Sequence, residues 1–142
     1  MSRSGYSEDC DNLAMWRGAV RSATYGKRGQ AFLREMAAAL DAMPVKELIA
    51  DDVVTTEGSV CAIGSVALAR GINISDIDIY DGEQVGQRFG IARALACEIA
   101  YENDECGNGY RDGTYHRETP ADRWKRMRAW VASQLMITVV KP

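Results

Sequence analysis

SVCAIGSVALARG, residues 59–71, is the stretch around which the rest of the chain arranges itself. Val60, Ile63, Val66 and Ala67 recur at helical spacing, while Cys61, Ala62, Gly64 and Ser65 are small enough for neighbours to approach from nearly every side. The pattern predicts a central helix, capped by Ser59 after Glu57 and Gly58 and stopped by Gly71 and Asn73. Gly64 in mid-helix costs about 1 kcal/mol relative to alanine, which is a reason to expect a second helix crossing at that point.

C-terminal to this helix, Ile72, Ile74, Ile77 and Ile79 alternate with polar residues, but Ser75, Asp76, Asp78 and Asp81 are turn and cap formers, so a loop is expected. A short helix over 82–89 is broken by Gly90, and a longer one follows over 91–102. Residues 103–117 contain three glycines and no apolar period, which predicts a mobile irregular loop. Thr119 and Pro120 then have the form of an N-cap and first helical residue, and Trp124, Met127, Val131 and Leu135 give the last helix its inner face.

N-terminal to the central helix, Val53–Thr56 is β-branched enough for a short strand, with 137–140 as the available partner. Leu13, Trp16, Val20 and Ala23 pattern a first helix over 9–25. Lys27, Arg28 and Gly29 read as a short basic connection to a second helix, whose stripe runs from Ala31 to Met43 before Pro44. Residues 1–8 are expected to be a flexible arm and 136–142 a tail. The fold expected is mainly α: a compact single-domain bundle of five or six helices spanning residues 1–142, with at most a minor two-stranded ribbon. Trp16, Phe32, Leu40, Ile63, Val66, Leu95, Ile99, Trp124 and Val131 are its expected core.

With 142 residues, 46% of them hydrophobic, the chain can bury a core without metal or disulfide staples. No apolar run reaches the roughly 18 residues of a membrane span, and the N-terminus lacks a signal-peptide core, so a soluble intracellular protein is expected. Cysteines at 10, 61, 97 and 106 form no CxxC pair and read as reduced thiols. The net charge of −3 hides a polarity: residues 1–50 carry +1, residues 51–105 carry −8, and residues 106–142 carry +4.

Catalytic and metal chemistry find little support in these residues. Cys97, Cys106 and His116 match no zinc spacing, and the acidic turn Asp76–Glu83 lacks the glycine and closing glutamate of a calcium loop. No GxSxG turn accompanies the lone histidine; Glu98 and Glu102, one helical turn apart, are the remaining carboxylate pair for a hydrolase. No metal, cofactor or catalytic residue is assigned. Charge offers two alternatives. Asp51, Asp52 and Glu57, then Asp76, Asp78, Asp81 and Glu83, then Glu102, Asp104 and Glu105 fall in three connections around the central helix. Were these to converge, they would face a positively charged partner. Conversely, Lys27, Arg28, Arg117, Arg123, Lys125, Arg126 and Arg128 are candidates for direct nucleic-acid contact, with Tyr115 or Trp130 for stacking.

The strings SRSGYSEDCDN, WRGAV, GKRGQAFLREMAAALDAMP, LIADD, GSVCAIGSVALARG, FGIARALACEIAYENDE and ETPADRWKRMRAWV resemble a family of small accessory proteins of temperate bacteriophages and prophages. The resemblance covers nearly the whole chain and carries no catalytic residues with it. It implies a bacterial host cytoplasm and a protein that binds and blocks a host macromolecule, a host protein or protein–nucleic-acid complex such as a CRISPR effector.

Overall fold

The computed structural model describes residues 2–6 and 13–137. Among the described residues six helices follow one another: α1 (Leu13–Tyr25), α2 (Lys27–Ala42), α3 (Ala62–Arg70), α4 (Gly82–Phe89), α5 (Arg93–Glu105) and α6 (Pro120–Gln134). Between α5 and α6 lies the one named sheet among the described residues, an antiparallel pair of β1 (Gly109–Arg111) and β2 (Thr114–His116). The architecture is mainly helical, as the apolar periods require, with a small two-stranded ribbon.

Helix α3 is the buried centre. Ala62 through Ala67 are all buried, and one apolar cluster surrounds them with Phe32, Leu33, Met36 and Leu40 of α2, Leu95 and Ile99 of α5, and Met127 and Val131 of α6. Trp16 and Trp124, expected in the core, are only half-buried. The Trp124 indole donates to the carbonyl of Leu40 at 3.1 Å, which holds its polar edge at the rim.

The start of α3 differs from expectation. Val60 is still extended, bridging antiparallel to Val54, so the cap falls to Cys61, whose Sγ accepts the Gly64 amide. Val53–Thr56 therefore finds its partner six residues on; Ile137 lies in no strand, and 138–140 fall outside the described residues. The neighbour at Gly64 is the non-helical backbone of a bend rather than a helix: a Cβ there would lie 2.0 Å from the Val53 carbonyl oxygen.

Lys27 and Arg28 begin α2 rather than connect to it, because Gly29 lets the end of α1 press against the new helix. A Cβ on Gly29 would lie 1.9 Å from the carbonyl oxygen of Ala23. Helix α5 runs three residues past its expected end, and the glycine-rich stretch beyond it, expected to be irregular, forms the β1–β2 hairpin. Asp112 and Gly113, both at positive φ (53° and 77°), make the tight turn whose twist suits a two-residue hairpin. At α6 the expected cap is present, with Thr119 accepting the Asp122 amide at 3.1 Å.

Candidate functional site

Asn103 draws two of the three acidic connections together. It is buried in the last turn of α5, its Oδ1 accepts the Ala62 amide at the start of α3 at 3.0 Å, and its Nδ2 donates to the Ile49 carbonyl at 2.9 Å. Ile49 and Ala62, which flank the 51–57 segment, are thereby held against the end of α5. Beside it Asp104 is buried, not presented to a partner: its carboxylate takes a two-point ion pair from Arg3, at 2.8 and 2.6 Å, and the Asp51 amide at 3.1 Å. Burial opposes that charge, but the hydrogen bonds and charge of Arg3 outweigh it and hold the Asp104 carboxyl below its ordinary range. The Ser4 hydroxyl donates to Glu105. Arg3 and Ser4, expected in a flexible arm, are thus packed residues.

The remaining connection, residues 76–83, reaches the same side only in part. Ile79 and Gly82 border a small gap together with Arg3 and Val53, whereas Asp76 is turned toward Arg88 and paired with it at 2.6 Å. Asp78 accepts the Tyr80 amide, and Asp81 caps α4. Asp52 accepts the Val53 amide and is half-buried, as is Glu102. Asp51, Glu57, Asp78, Glu83 and Glu105 are exposed and form no ion pair among the described residues.

Most arginines of α6 are committed internally. Arg123 is buried, donating to the carbonyls of Asn103 and Leu48; Arg126 donates to the carbonyls of Glu102 and Asn103 and pairs with Glu118 at 2.6 Å. Two cations therefore meet the free carbonyls at the C-terminus of α5, the end at which the helix dipole favours positive charge. Arg128 pairs with Asp41 at 2.7 Å. Arg123 is thus withdrawn from the nucleic-acid set, and the charges of Arg126 and Arg128 are already met; Lys27, Arg28, Arg117 and Lys125 remain exposed.

The candidate catalytic groups lie apart or are occupied. Glu98 is buried and accepts from the Tyr6 hydroxyl at 2.6 Å and from Arg17 at 2.9 Å. Tyr6 packs against Trp16 and Tyr101, and burial followed by its bond to Glu98 raises its pKa. Burial also raises the Cys97 thiol. Cys106 donates its S–H to Glu102, and partial burial together with that carboxylate pushes the thiol up to about 12. His116 is exposed on β2. Among the described residues no group of three His, Cys, Asp or Glu side chains is placed to hold a metal ion, and no helix is long and apolar enough to cross a membrane.

Sequence reasoning missed Arg3, Tyr6, Arg17 and Glu118. The first three act across more than 80 residues of chain, beyond any local pattern. Glu118 had a signal, since it directly precedes the cap of a helix carrying Arg126 eight positions on. Comparison of the chain with protein-family models, with curated proteins and with solved structures finds no match.

Proposed function

We propose that this protein is a phage-encoded accessory protein that binds and blocks a host macromolecule in the bacterial cytoplasm, with the exposed carboxylates around the start of α3 as its docking face. A defence complex such as a CRISPR effector, which must hold a nucleic acid on basic residues, is a partner of suitable charge. One observation carries the reading. The end of the molecule where Asp51 meets residues 102–105 already grips an arginine, that of the chain's own residue 3, and still presents Asp51 and Glu105 beside it, with the exposed Glu57 six residues on from Asp51. Carboxylates in that arrangement suit an arginine-rich surface.

Capture of the host factor from bacterial lysate on the tagged protein, followed by titration of the factor's activity, tests this. Inhibition is expected to reach completion at a fixed stoichiometry and to survive His116→Ala and Glu102→Gln. Turnover at substoichiometric amounts, lost in either variant, would show an enzyme instead.

A further inference from the structure

Residues 3–6 are held to the body of the protein through their side chains. The Arg3 guanidinium takes a two-point grip on Asp104, at 2.8 Å from Nε and 2.6 Å from Nη2, and its Nη1 donates to Cys61 Sγ at 3.5 Å. The Ser4 hydroxyl donates to Glu105 at 2.9 Å and the Tyr6 hydroxyl to Glu98 at 2.6 Å, with Gly5 at φ 71° turning the arm between them. The Tyr6 ring lies against Trp16 and Tyr101, at centroid distances of 5.3 and 4.9 Å. Among the described residues the arm's backbone makes no hydrogen bond to the body; its one bond, from the Tyr6 amide to the Ser4 hydroxyl, stays within the arm.

The carboxylates that hold the arm all come from one helix. Glu98, Tyr101 and Glu105 recur at three- and four-residue spacing along one face of α5, with the buried Asp104 beside them. A strip of this kind reads side chains and not backbone, so it matches an arginine followed by a hydroxyl residue and, three positions on, an aromatic ring, whichever chain carries them. The fork at Asp104 selects arginine over lysine, because only a guanidinium donates two parallel bonds to one carboxylate. Without an arginine Asp104 would be left charged and dry, so exchanging one arginine for another is favoured over leaving the socket empty.

We propose that this strip is a binding site for an arginine-bearing peptide segment of the partner, and that residues 3–6 occupy it as a built-in competitor. The socket deepens the proposed docking face, on which it rests for the identity of the partner; a synthetic peptide tests it with no host factor present, so the two fail separately.

The probe is the capped peptide SRSGY, the sequence of residues 2–6, titrated calorimetrically into the full chain. Arg3→Ala deprives the arm of its anchor, so the peptide should bind that variant saturably, raise its unfolding midpoint and shift the amide resonances of Asp51 and residues 98–105. The native chain should bind it at least about tenfold more weakly, because a tethered arm competes at an effective concentration on the order of millimolar. Replacing the peptide's arginine with citrulline, which keeps the shape and removes the charge, should weaken binding to the variant by at least about tenfold. Should Arg3→Ala fail to fold, Arg3→Lys keeps a charge beside Asp104 without the two-point geometry and should show the same order of affinities. No saturation of the folded variant up to about 10 mM, equal affinity for the native chain and the variant, or indifference to citrulline would overturn the proposal.

Discussion

At the level of single residues, the ion pair between Arg3 and Asp104 is the most consequential contact outside the apolar core. Both side chains are 3% exposed, so removing one leaves the other charged and dry. Arg3→Ala is expected to lower the unfolding free energy by about 3–5 kcal/mol in a denaturant titration. The pair also sets an acid limit. Because Asp104 titrates lower in the folded chain than in the unfolded one, its contribution is complete above the ordinary aspartate pKa of about 3.9 and is lost as pH falls through the folded value. Stability of the native chain should thus decline from about pH 4 downward, and in Arg3→Ala that part of the decline should shrink. Cys106 offers an independent check on local electrostatics. Although its surface is exposed, its raised pKa should make it slow toward iodoacetamide at pH 8, and Glu102→Gln should accelerate the reaction.

At the level of elements, Gly64 and Thr119 separate what the sequence made legible from what it hid. Thr119, Pro120 and Asp122 form a local signature, and α6 begins where they say; Thr119→Ala should cost about 1 kcal/mol in thermal or chemical unfolding. Gly64 correctly signalled a close approach, but not its agent. Only the three-dimensional path of residues 49–60, tied down by Asn103 and by the Val54–Val60 bridge, reveals that a non-helical segment lies there. Gly64→Ala should therefore destabilise the fold by about 1–3 kcal/mol or more, despite alanine's better helix propensity, because backbone must move. An unchanged unfolding midpoint in that variant would mean that Val53 does not cross α3 as described. The hairpin was hidden for a related reason: its strands have no apolar alternation, and the Asp112–Gly113 turn was the sole local cue.

At the level of the whole molecule, the charge polarity read along the chain is partly cancelled in space. Arg3 and Arg17 reach back from the N-terminal region to Asp104 and Glu98, and Arg126 comes forward from α6 to the end of α5. Linear counting of charge could not anticipate these pairings, because they join segments far apart in the chain. It did locate the carboxylates that stay exposed, among them Asp51, Glu57 and Glu105. The proposed docking of these carboxylates on a basic partner is tested most directly by the kinetics of association with the captured host factor. Asp51→Asn, Glu57→Gln and Glu105→Gln together should slow association, flatten its dependence on salt and leave dissociation nearly unchanged, since rim charges act mainly on encounter. Association rates identical to those of the native chain across the salt series would contradict the acidic face as the docking surface.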